Sequence, residues 1–95
     1  MSVLIVGGDK LGNITKKLKD NGVSNIRHIS GRKYGDRKLK IPSTIDLVLV
    51  LTDYIDHPLM NIIKNESKRN GVKIMYAKRS WTHIENNFKS YIRES

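Results

Sequence analysis

Ile45-Asp46-Leu47-Val48-Leu49-Val50-Leu51-Thr52-Asp53-Tyr54 is the stretch on which the fold turns. It is apolar at almost every position through Leu51 and then turns abruptly polar. A surface strand alternates apolar and polar residues, because only one face is buried. Continuous apolarity means burial on both faces, the mark of a central parallel strand covered by helices. Val3-Leu4-Ile5-Val6 repeats the pattern and ends in Gly7-Gly8, which predicts a second central strand. Ile26-Arg27-His28-Ile29 and Val72-Lys73-Ile74-Met75-Tyr76-Ala77 are more mixed, as flanking strands with a wet edge should be.

Between these runs the apolar period changes to that of a helix. Leu11, Ile14 and Leu18 form one stripe, stopped near Gly22. Leu59, Ile62 and Ile63 form a second, with Asp56 placed as N-cap, Pro58 in the first turn and Gly71 at the end. Trp81, Ile84, Phe88 and Tyr91 or Ile92 form a third, with Ser80 as its cap. The predicted order is strand, helix, strand, long loop, strand, helix, strand, helix. That alternation gives an α/β fold with three layers, a four-stranded parallel sheet and helices on both faces. Right-handed crossovers around two central strands favour the order 2-1-3-4, a flavodoxin-like half of a Rossmann-like fold. Residues 1–95 read as one domain, interrupted by a basic loop over 31–43.

Composition narrows the functions. Eighteen Lys and Arg against nine Asp and Glu leave a net charge of +9 in 95 residues. The chain is too short for a complete dinucleotide-binding fold and has no cysteine, so disulfide, thiolate-metal and thiol-nucleophile chemistry are excluded. No run approaches the ~20 apolar residues of a membrane span. Met1–Val6 is short for a secretory leader and lacks a basic lead-in, so a cytoplasmic location is expected, with no membrane partner. A core this small leaves a thin margin of stability, which favours a homo-oligomer, a dimer or higher. The positive excess points to an anionic partner.

In an open parallel sheet, ligands gather beyond the carboxyl ends of the strands. Four polar clusters follow the four strands: Gly7, Gly8, Asp9 and Lys10; Ser30, Gly31, Arg32 and Lys33; Thr52, Asp53 and Tyr54, with His57 a turn later; and Lys78, Arg79, Ser80 and Trp81. The topology brings all four to one rim, together with the basic run through Arg37, Lys38 and Lys40. Gly7-Gly8 before a helix is either a phosphate cradle or a tight turn with Asp9 as a helix cap. Ser30, Arg32 and Lys33 stand where nicotinamide-binding folds keep an acidic residue, so they suit a phosphate or a solvated loop. Lys78 and Arg79 precede a helix N-terminus, against the helix dipole, and need another reason to be there. An anion held by Arg79, the Ser80 hydroxyl and the following amides is one; a salt bridge from Arg79 to Asp53 or Asp9 is the other. Trp81 serves either core packing or base stacking. Asp9 and Asp53 should be neighbours, able to hold Mg²⁺ or to pair with Lys10, Lys78 or Arg79. His28, His57 and His83 lack metal-ligand spacing and read as hydrogen-bonding or packing residues. No catalytic residue and no metal ligand is assigned.

In combination, the segments Val3–Gly12, Ser30–Lys33, Asp46–Tyr54 with His57, and Ala77–Trp81 resemble a family of small bacterial proteins. That family is filed as a domain of unknown function and also occurs in mobile elements and phages. The resemblance covers nearly the whole chain and implies a single Rossmann-like domain, with no activity to carry over. Some relatives have a Cys where Ala77 stands, so any thiol-based role is unavailable to this chain.

Three functions remain in view. The first is non-catalytic binding, sensing or sequestering a phosphorylated, nucleotide-like small molecule at Gly7, Gly8, Asp9, Lys10, Ser30, Arg32, Lys33, Thr52, Asp53, Tyr54, His57, Lys78, Arg79, Ser80 and Trp81, without a cofactor. The second is DNA or RNA binding through the basic rim and loop 32–40. The third is a nucleotide-processing enzyme using Asp9 or Asp53, weakened by the lack of an activated nucleophile.

Overall fold

The structure, a computed structural model, describes residues 1–30 and 40–94. The elements are β1 (Ser2–Val6), α1 (Ile14–Asp20), β2 (Asn25–Ile29), β3 (Leu47–Leu51), α2 (His57–Arg69), β4 (Lys73–Ala77) and α3 (Trp81–Glu94). All strand pairs are parallel and the sheet order is β2-β1-β3-β4. This is the α/β architecture that the apolar runs predict.

The two continuous runs occupy the centre because only there are both faces covered. Every residue of β3 is buried, and so are Val3 to Val6 of β1. One face carries Val3, Ile5, Leu47, Leu49 and Leu51 against Ile14 and Leu18 of α1 and Ile84 and Phe88 of α3. The other carries Leu4, Val6, Val48 and Val50 against Leu59 and Ile63 of α2, with Ile41 and Ile45. Right-handed crossovers impose that division. The chain moves one way along the sheet from β1 to β2 and the opposite way from β3 to β4, so α1 and α2 take opposite faces. Ile41 and Ile45, on the crossover into β3, lie on the α2 face for the same reason.

Two boundaries differ from the sequence reading by more than one residue. Ile45 and Asp46 precede β3 rather than opening it. The Asp46 carboxylate accepts from Ser2 N (2.7 Å) while Asp46 N donates to Ser2 O (2.9 Å), so a side chain replaces the first ladder bond. Helix α1 begins at Ile14, leaving half-buried Leu11 in the preceding turn. The cap of α2 is as expected: Asp56 is extended (φ −82°, ψ 158°) and its carboxylate accepts from Leu59 N at 2.8 Å. No described helix is long and apolar enough to cross a membrane.

Register positions the site. Val6 pairs with Ile29 and with Val50, and Leu51 pairs with Ala77. The four carboxyl ends therefore finish within a residue of one another, and Gly7, Ser30, Thr52 and Lys78, which follow them, share one edge.

Candidate functional site at the carboxyl edge of the sheet

The chain leaves β1 through Gly7 and Gly8, which lie hard against the loop after β3. Gly7 adopts φ +114°, and a Cβ there would stand 3.0 Å from Leu51 O and 3.2 Å from Tyr54 O. Only glycine fits both the backbone angle and the space. Gly7 N donates to Ile29 O (2.9 Å) and Gly8 N to Tyr54 O (2.8 Å). Both amides are taken by backbone carbonyls, so the pair builds a tight turn joining the loops after β1 and β3. Asp9 does not cap α1, whose N-cap is Asn13. Its carboxylate instead accepts from the Ser30 hydroxyl at 3.0 Å, tying the β1 loop to the end of β2.

His28, read from the sequence as a hydrogen-bonding or packing residue, adds a tie whose partner the sequence did not indicate. Its Nε2 lies 2.8 Å from Gly7 O. A carbonyl only accepts, so Nε2 carries the hydrogen. The signal available in the sequence was position alone: His28 is the last residue but one of a strand that ends at the rim.

After β3, Thr52 N donates to Ala77 O (3.0 Å) and Tyr54 N to Leu51 O (3.1 Å), closing a short turn. That turn presents Tyr54 outward, 55% exposed. Asp53 points along the sheet edge and its carboxylate accepts from Arg79 N at 2.8 Å.

Arg79 joins three loops. Its main-chain amide is on Asp53, and its Nε (2.9 Å) and Nη2 both donate to Lys10 O. Its guanidinium carbon stands 6.0 Å from the centre of the Tyr54 ring, within cation–π range. The salt bridge considered from Arg79 to Asp53 or Asp9 is not formed by the guanidinium: Asp53 binds the main chain, and the side chain reaches a carbonyl. Lys78 beside it is exposed. Ser80 enters α3 through its carbonyl, which accepts from Ile84 N at 3.0 Å. Trp81 is half-buried against the core shared by α1 and α3, with Lys17 Nζ 5.8 Å from its ring centre, so packing is the role its position serves. His57 is exposed at the start of α2. Arg32, Lys33, Arg37 and Lys38 lie outside the described residues.

The structure thus knits Gly7, Gly8, Asp9, Lys10, Ser30, Thr52, Asp53, Tyr54 and Arg79 into one hydrogen-bonded rim. Asp9 and Asp53 each have their own donor, Ser30 Oγ and Arg79 N. Among the described residues no three His, Asp or Glu side chains gather closely enough to hold a metal ion.

Comparison with curated proteins finds no match, and comparison with solved structures finds none either. The model of one family, described as an uncharacterized protein conserved in bacteria, matches residues 2–91. The four strand-end clusters and the fold that gathers them therefore belong to a member of that family: the chain is a DUF2325 protein.

Proposed function

We propose that this protein is a binding module that senses or sequesters a phosphorylated, nucleotide-like small molecule at the carboxyl edge of its sheet. One observation carries the reading. Arg79 ties the loops after β1, β3 and β4 together and leaves an exposed tyrosine face beside it. Lys10 and Lys78 stand exposed on the same loops. Such a rim offers an anion cationic partners, a planar base a ring to stack on, and a ribose two carboxylates as acceptors. Basic Arg32 and Lys33 follow β2 in the sequence and extend the same charge.

A nucleic acid is the second reading, favoured by exposed Lys16, Lys19, Lys64, Lys68 and Arg69 on helices covering both faces of the sheet. The two separate on salt. Calorimetric titration with a panel of mononucleotides and cyclic nucleotides, run beside a labelled DNA and RNA oligonucleotide at increasing ionic strength, distinguishes them. A small ligand held in a site should lose little affinity, because few counterions are released. Oligonucleotide binding that collapses steeply with log salt, with no nucleotide bound at all, would overturn the first reading in favour of the second.

A further inference from the structure

Arg79 is half-buried, yet among the described residues its side chain is hydrogen-bonded only to a neutral oxygen, Lys10 O. The ion pairs formed among the described residues, Glu66–Arg69 and Glu85–Lys89, are both away from the rim. A guanidinium has five N–H donors in a planar fork. Nε and one hydrogen of Nη2 occupy the side edge on Lys10 O. That leaves the end edge, with parallel N–H bonds from Nη1 and Nη2, which is the geometry that takes two oxygens of a phosphate or carboxylate.

Gly12 leaves room beside Nη2. It sits at φ +55°, and a Cβ built on it would stand 3.7 Å from Nη2, with no other heavy atom within 4 Å. Gly8 does the same further along the side chain, where a Cβ would meet Cδ and Nε at 3.8 Å. The two glycines therefore frame the guanidinium without covering it, while Lys10 O fixes its orientation in advance. The Tyr54 ring stands beside the same guanidinium, 6.0 Å from its central carbon to the ring centre, and is more than half exposed.

We infer that the end edge of Arg79 is the receptor for the terminal phosphate monoester of a 5′-mononucleotide-type ligand, with Tyr54 as the stacking face for its base. The inference rests on the nucleotide reading above and specifies its ligand class. A monoester is favoured over a diester because its charge of about −1.5 to −2 strengthens the attraction to a guanidinium that forms no ion pair among the described residues.

The test is an NMR titration of the ¹⁵N-labelled full chain, following Arg79 Nε–H, with 5′-AMP, adenosine, 3′,5′-cyclic AMP and inorganic phosphate as separate probes. 5′-AMP and phosphate should shift the Arg79 resonance, and 5′-AMP should bind at least about tenfold tighter than adenosine or the cyclic diester. Gly12→Asn accepts the left-handed backbone and puts a side chain beside Nη2, where a Cβ would stand 3.7 Å away; it should weaken 5′-AMP about tenfold with an unchanged melting temperature. Arg79→Lys keeps the charge but loses the fork and its bonds to Lys10 O; it should weaken 5′-AMP by at least as much, with a lowered melting temperature. Equal binding of 5′-AMP, adenosine and the cyclic diester with Arg79 unmoved would overturn the inference and leave the nucleotide reading standing. A shift with phosphate that no nucleoside strengthens would keep the receptor and remove the nucleotide reading. No response to any of the four probes would remove both.

Discussion

Strand β3 and the turn that follows it adjoin in sequence and obey opposite rules. Leu47 to Leu51 are completely buried, and any residue there is judged by volume and apolarity. Thr52, Asp53 and Tyr54, the next three residues, are all exposed and are judged by the partners they find. The same contrast divides β1 from Gly8-Asp9-Lys10 and β4 from Lys78-Arg79. The sheet interior holds the fold together through nondirectional burial, and the rim is held by individual hydrogen bonds. The two meet at Gly7, wedged against Leu51, and at half-buried Arg79, which ties three loops of the rim.

Substitutions can break that contrast or sharpen it. Leu49→Ala removes a fully buried side chain from the central strand, and should cost about 2–5 kcal/mol in urea denaturation. In a domain of this size such a loss takes much of the total stability. Gly7→Ala tests the boundary: at φ +114° with Leu51 O 3.0 Å from the new Cβ, it should cost about 1–3 kcal/mol, although the position lies outside the strands. A Gly7→Ala protein as stable as the original would show that the β1 and β3 loops are not wedged together. Ser67→Ala is the exception inside the interior. Its hydroxyl is buried with no partner among the described residues, so the substitution should raise stability by about 1 kcal/mol, read as a higher urea midpoint with an unchanged slope. Tyr54→Ala should change stability by less than about 0.5 kcal/mol, because the ring is 55% exposed. Its nucleotide affinity should nevertheless fall roughly tenfold in calorimetry, through loss of the stacking face. A large stability loss in this variant would erase the distinction between rim and interior.

The strand interior was legible because the relevant information is local. Val3–Val6 and Leu47–Leu51 announce burial on both faces through their own side chains, and parallel order with right-handed crossovers follows from the alternation of periods. Asp56 was legible for the same reason, since a cap reaches only three residues along the chain. The rim was legible as a place, because ligand-bearing loops lie at strand ends. Its wiring was not. Nothing near Asp46 indicates that its carboxylate will stand in for a ladder bond from Ser2, and nothing near His28 indicates a carbonyl 21 residues earlier in the chain. Arg79 makes the point most sharply: two anionic partners were the natural candidates, and the guanidinium took a neutral carbonyl 69 residues away.

The four strands, the three helices and the identity of the central strands can be read from the residues alone. These follow from apolar period, glycine position and chain direction, all of which are properties of short segments. Which oxygen each donor of the rim meets is settled by the packing of the folded chain. Hydrogen bonds are short and directional, so a partner is chosen by the register that levels Val6 with Ile29 and Val50, and by the clearance left at Gly7, Gly8 and Gly12. Those ångström-scale distances arise when loops far apart in sequence are packed together, and no local pattern of residue types encodes them.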